Sequence, residues 1–259
     1  MYPHPNRPST LPLSAPTLTK SQTRIAQLLD LLYPPSCHLC ERPTTEGRYL
    51  CDQCYVQRPR LIQPFCETCG ESYSGVLPQH FLCPNCSQHD FPFLFARAAL
   101  LNTNQNHQLI VDFKYLKKFY LAKELARFCA EIFETDPRFK SLNSPTLIPI
   151  PLHWRRQWQR GFNQAHALAQ QLSHLTHIPL THCLKRARHT HTQTKLIRSE
   201  RLSNLRDAFK VNDIPPHFSS AILIDDVFTT GATTSACAQA LQKHAPQLQN
   251  IVVLTALRG

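Results

Sequence analysis

Two groups of residues in this chain have the types and spacing to do chemistry. The first is eight cysteines in four C-x-x-C pairs: Cys37/Cys40, Cys51/Cys54, Cys66/Cys69 and Cys83/Cys86. The second is the stretch AILIDDVFTTGATT, residues 221–234. There an apolar run ends on two adjacent carboxylates, Asp225 and Asp226, and continues as hydroxyls around one glycine.

A C-x-x-C turn presents two thiolates on one side of the backbone. A second such turn closes a tetrahedron around Zn²⁺. All eight cysteines are consumed in two such sets, leaving no ligand position for water. The spacing therefore predicts two structural Zn²⁺ ions, not catalytic ones. Ten residues separate the first two pairs and thirteen the last two. Sequential pairing closes these short loops at lower entropy cost, and is preferred over interleaved, cross-braced pairing. No βαβ pattern surrounds any pair, which argues against a thioredoxin-like redox role. Cys129, Cys183 and Cys237 stand in helical or strand-like surroundings and read as small buried hydrophobes.

The second group reads as an anion site. Ile222, Leu223 and Ile224 predict a buried strand with Asp225 and Asp226 at its carboxyl end. Residues 229–234 then wrap into the start of a helix, where free N–H groups and the positive end of the helix dipole favour an anion. Gly231 lets the backbone approach that anion closely. Thr229, Thr230, Ala232 and Thr233 complete a phosphate cradle. The two carboxylates beside it accept hydrogen bonds from vicinal sugar hydroxyls, or face a Mg²⁺-bound ligand. The chemistry is that of a sugar-phosphate site.

The rest of the chain must position these groups. It has 259 residues, 42% hydrophobic and 17% charged, with a net charge of +11. That charge implies an anionic partner. Residues 1–23 are rich in Pro, Ser and Thr and read as a disordered extension. No signal-peptide core or apolar run long enough to span a bilayer is present, so a cytoplasmic location without membrane insertion is expected. Residues 24–92 read as a short helix, ended by Pro34 and Pro35, plus the cysteine domain. That domain is too small to fold on its own core and takes folding energy from metal. From residue 93 onward, strand-like and helix-like stretches alternate. The strands are FLFARAALL, TLIPIP, AILID and NIVVLTAL. A long helical pattern with a break near Lys117 and a helix capped by Asn163 lie between them, and a third helix follows AILID. This alternation predicts an α/β, Rossmann-like domain with a parallel sheet covered on both faces. Ligands bind such sheets at the carboxyl ends of the strands.

Residues 155–210 carry eleven Lys or Arg against Glu200 and Asp207. Such density attracts a polyanion beyond a single sugar phosphate, and single-stranded nucleic acid is the expected partner. The cations assigned to it are Arg160, Lys185, Arg186, Arg188, Lys195, Arg198 and Arg201. Trp154 and Trp158 suit hydrophobic cover and base stacking equally well.

The stretch ILIDDVFTTGATT resembles the phosphoribosyl pyrophosphate (PRPP) motif of type I phosphoribosyltransferases. The ordered set of motifs resembles the ComF family over residues 28–257. The set comprises the four C-x-x-C pairs, FKY at residues 113–115, IPIPL at 148–152, RGFNQA at 160–165, the RHTHTQTKLIRSERLSNLRDAF segment and the PRPP motif. The resemblance implies a double zinc ribbon ahead of a type I phosphoribosyltransferase-like domain at residues 93–259. It also implies a pyrophosphate loop at Leu152, His153, Arg155 and Arg156, followed by Arg160. It implies Mg²⁺ with PRPP, and a role with single-stranded DNA in natural competence. A DNA-uptake channel or helicase component is a further partner class. Two functions compete. One is a competence factor that binds PRPP as a ligand. The other is a transferase that moves phosphoribosyl from PRPP to an unidentified acceptor. Thr229 stands where purine-specific relatives place an acid, which disfavours purine salvage.

Overall fold

The computed structural model describes residues 35–76, 78, 80–152, 161–186, 208–212, 214 and 219–259. The helix expected ahead of Pro34 lies outside these residues.

The two ribbons come first. Each opens on a knuckle closed by an isolated antiparallel bridge, Ser36 to Pro43 and Phe65 to Ser72. Helix α1 (Asp52–Val56) starts after Cys51 and helix α2 (Pro84–Ser87) after Cys83. Pro84 opens α2 because its missing N–H has no intrahelical partner at that position. Each short helix carries the last cysteine of its set, Cys54 or Cys86, inward.

The larger domain is built on four parallel strands in the order β1–β6–β5–β2. They are β1 (Ala96–Leu100), β2 (Pro145–Pro149), β5 (Ser220–Phe228) and β6 (Asn250–Arg258). A separate antiparallel pair joins β3 (Leu184–Arg186) to β4 (Phe209–Val211). The long helical pattern is two helices, α3 (Asn104–Tyr115) and α4 (Leu121–Thr135), followed by the short α5 (Pro137–Lys140). Lys117 takes φ +54° between α3 and α4. That left-handed conformation stops a right-handed helix. Helix α6 (Gln164–Thr176) buries Ala165, Leu168, Ala169 and Leu172, the face its periodicity predicts. Asn163 caps it, accepting from the N–H groups of Ala165 and His166. The same side chain donates to the carbonyl of Ile150 at 3.1 Å, which pins the helix start to the end of β2. Helix α7 (Ala232–His244) follows the PRPP motif.

Alternation along β5 divides the interior into two cores. Ile222 and Ile224 pack with Phe113, Leu125, Phe128 and Leu168 on one face. Ala221 and Leu223 pack with Cys237, Ala238 and Leu241 on the other. The ribbons divide between the same cores. Cys37, Leu50, Cys54 and Tyr55 belong to the first, and Cys66, Cys69, Cys83 and Cys86 to the second. Cys129, Cys183 and Cys237 are buried among apolar neighbours, as their surroundings predict.

The first ribbon docks on the helices through polar anchors. Glu124, 1% exposed, accepts from the backbone N–H of Tyr49 at 2.7 Å and of Leu50 at 3.4 Å. Arg48 and Arg127 balance its charge. Tyr55 stacks on Phe128 with centroids 4.3 Å apart and donates its hydroxyl to Glu131. His38 meets Asp112 at 2.6 Å. The second ribbon docks on the sheet itself. The N–H of Ala96 donates to the carbonyl of Thr68 at 2.6 Å, and the buried Arg97 donates to that of Glu67 at 2.9 Å.

Candidate metal centres and strand-end anion site

The cysteines gather in sequential sets: Cys37, Cys40, Cys51 and Cys54, then Cys66, Cys69, Cys83 and Cys86. Within each set all four sulfurs lie within 4.8 Å of one another. Tetrahedral Zn–S bonds of about 2.3 Å require sulfurs about 3.8 Å apart. The Cys40–Cys51 and Cys69–Cys83 separations are 3.6 and 3.7 Å. The donor sets therefore suit a tetrahedral zinc ion. Backbone N–H groups point at the sulfurs, Cys54 to Cys51 and Cys83 to Cys66. Arg42 donates from Nε to Cys40 Sγ at 3.2 Å and, through that bond, draws the thiol down to about 6. Both features favour the thiolates a metal needs.

At the strand end, Asp225 and residues 227–234 line a small cavity of about 40 Å³. Gly231, at φ +74°, begins α7, and its carbonyl accepts from the Thr234 hydroxyl at 2.8 Å. The N–H of Ala232 is directed to the Thr230 hydroxyl at 3.4 Å. The loop thus turns back into the helix start, as its hydroxyl-rich composition predicts. A larger cavity, about 370 Å³, lies on the second ribbon between Pro64, Phe65, Glu67 and Phe81. None of the strand-end residues lines it.

The two carboxylates interact with each other but have different further partners. Asp225 faces the cavity and accepts from the N–H of Asp226 at 2.9 Å. Lys114 Nζ meets the Asp226 carboxylate at 2.9 Å. Burial, and then the charge of Asp226, push the Asp225 carboxyl up to about 7, with Lys114 working against them. β5 also runs past both acids, pairing with β6 as far as Phe228 and Arg258, whereas its pairing with β2 ends at Ile224. The acids therefore sit where β2 stops and the sheet opens a notch.

Of the pyrophosphate-loop residues, Leu152 is half-buried just past β2. His153, Arg155, Arg156 and Arg160 lie outside the described residues. So do Arg188, Lys195, Arg198 and Arg201 of the basic segment. Lys185 is exposed on β3. Arg186, next to it, sets its guanidinium 5.4 Å from the ring of Phe209 on β4. Three residues at the strand end are not among the site residues read from the sequence. Lys114 is visible only as the centre of FKY. Arg258 and Phe91 come from the far end of the chain and from the stretch after the last cysteine pair. Arg258 donates to the carbonyls of Phe228 and Thr229. A Cβ on Gly231 would lie 2.8 Å from the Phe91 ring.

A double zinc ribbon family model matches residues 28–89. Competence protein F of Haemophilus influenzae is 33% identical over 201 residues, covering 75% of this chain and 84% of that protein. DNA utilization protein YhgH of Escherichia coli is 30% identical over 217 residues, 83% of this chain and 93% of that protein. Competence protein ComFC of Bacillus subtilis is 30% identical over 203 residues, 74% and 77% of the two chains. With two four-cysteine centres ahead of a parallel α/β sheet, and relatives of this similarity along most of their length, the chain belongs to the ComF family.

Proposed function

We propose that this chain acts in natural transformation, handling incoming single-stranded DNA in the cytoplasm, and that its strand-end cradle binds PRPP or a related sugar phosphate with Mg²⁺. Relatives named for competence and for DNA utilization support the first part. The observation that carries the second is the cavity walled by Asp225 and residues 227–234 at the start of α7. A 5′-phosphate suits residues 229–233, where backbone N–H groups and the helix dipole meet. Asp225 and Asp226 serve the ribose hydroxyls and the Mg²⁺-bearing end, and Lys114 offsets part of their charge. The basic residues of segment 155–210 serve the DNA backbone.

Calorimetry with Mg²⁺-PRPP tests the site. Affinity is expected in the wild type and not in an Asp225→Ala/Asp226→Ala variant, and equal affinity in both would remove the assignment. Anisotropy with single-stranded DNA tests the partner. Neutralising about six phosphates predicts a loss of roughly 300-fold between roughly 50 and 200 mM salt. A flat titration would count against the basic segment. Pyrophosphate release from PRPP, with and without bases or DNA, separates a ligand-responsive factor from a transferase.

A further inference from the structure

One arginine joins the phosphate loop to the second ribbon. Arg258, at the end of β6, donates from Nη1 to the carbonyl oxygens of Phe228 at 2.9 Å and Thr229 at 3.0 Å. Its Nη2 bonds Glu71 Oε2. The side chain is 11% exposed, and its guanidinium lies 5.1 Å from the Phe228 ring centroid. Glu71 is part of the second knuckle, because its carbonyl accepts the N–H of Cys66 at 2.8 Å. Gly70, just before it, lies so close to β1 that a Cβ there would come within 3.0 Å of the Ala96 carbonyl.

The orientation of these bonds has a chemical meaning. A loop that receives an anion must turn its N–H groups toward the ligand and its carbonyls away. Arg258 takes the carbonyls of the two residues that enter the loop. A planar guanidinium can do this with one edge while the other holds a carboxylate. Aromatic rings from the stretch leaving Cys86 support the same loop from beneath. Phe91 and Phe93 have centroids 4.8 Å apart, and Phe93 meets Phe228 edge-on at 6.1 Å. A Cβ on Gly231 would strike both Phe91 and Phe228. The first ribbon packs with the other core, against the helices.

We infer that the second ribbon sets the shape of the phosphate loop through Glu71 and Arg258, and that Arg258 is a positioning residue for the anion bound there. The ligand half of this inference rests on the sugar-phosphate reading above. The loop half does not, and the experiment separates them.

Hydrogen–deuterium exchange is followed on loop peptides of the full-length protein, with α4 as the internal reference. Loop exchange is expected to speed up about tenfold in the nearly isosteric Glu71→Gln, which weakens one charge-assisted bond, and at least as much in Arg258→Ala, which also removes the bonds to Phe228 and Thr229, while α4 is unchanged. The double variant is expected to be no worse than Arg258→Ala, because the two residues act in series. Millimolar guanidinium ion is expected to restore protection to Arg258→Ala but not to Glu71→Gln, a rescue that a general loss of stability would not show. Affinity for Mg²⁺-PRPP is expected to fall in parallel by about tenfold. Unchanged loop exchange in Glu71→Gln and Arg258→Ala would overturn the inference, as would equal acceleration in α4. Altered loop exchange in a protein whose wild type binds no PRPP would leave the strap standing and remove the sugar-phosphate reading instead.

Discussion

Lys114 Nζ lies 2.9 Å from the carboxylate of Asp226, while the adjacent Asp225 lines the strand-end cavity. One step along a strand separates a carboxylate paired with α3 from one that faces the cradle. The pair is largely enclosed, with side-chain exposures of 18% and 9%. Removing one partner leaves the other charge uncompensated in a poorly solvated place. Lys114→Met is therefore expected to destabilise the fold by about 3 kcal/mol. Adding Asp226→Asn is expected to recover part of that loss, because the stranded charge is gone. Urea unfolding of the single and double variants measures both, and strictly additive losses would show that the pair is not coupled.

Asp225 gives the stability a particular dependence on pH. Its carboxyl is raised to about 7 by burial and by Asp226, whereas an unfolded aspartate ionises near about 3.9. Below the lower value the residue is protonated in both states. Between the two values the unfolded chain gives up its proton first and the folded chain holds it, so stability falls as pH rises. Above the higher value both states are ionised and the loss is complete. Asp225→Asn is expected to flatten this stretch and to raise the urea midpoint above pH 7 relative to the wild type. Parallel pH curves for the two proteins would remove Asp225 as the source.

The metal centres are expected to hold two zinc ions per chain, and chelation is expected to unfold the ribbons, because binding energy there is folding energy. Cys40→Ser is expected to lose one ion and to loosen the contact of Tyr49 with Glu124. The Cys66 set belongs to the other core and is expected to keep its ion. Native mass spectrometry counts the ions. Loss of both from Cys40→Ser would contradict the independence of the two sets.

Gly231 has two reasons to be glycine. Its φ is +74°, and a Cβ would lie 2.8 Å from Phe91 and 2.9 Å from Phe228. Both neighbours are rings packed against other rings, so they have little room to give. Gly231→Ala is expected to cost about 1–3 kcal/mol and to shift the start of α7. Thermal unfolding together with amide chemical shifts of residues 229–235 checks this. A stable variant with unmoved shifts would mean that Phe91 yields.

Local chemistry was legible in the sequence because it acts over a few residues. The C-x-x-C spacing specified both four-cysteine centres. The period of Ala165, Leu168, Ala169 and Leu172 specified the buried face of α6, and Asn163 its first turn. The run from Ile222 to Gly231 specified a strand ending on two acids and a helix start. What only the tertiary structure decided is how those pieces face one another. Parallel pairing of β5 with β6 brought Arg258 beside Phe228 and so beside the phosphate loop. The packing of the second knuckle on β1 brought Glu71 to the same arginine. Lys114 met Asp226 only because α3 crosses that face of the sheet. Such contacts join residues far apart along the chain, and their geometry depends on register and packing, for which a local pattern of residue types carries no signal.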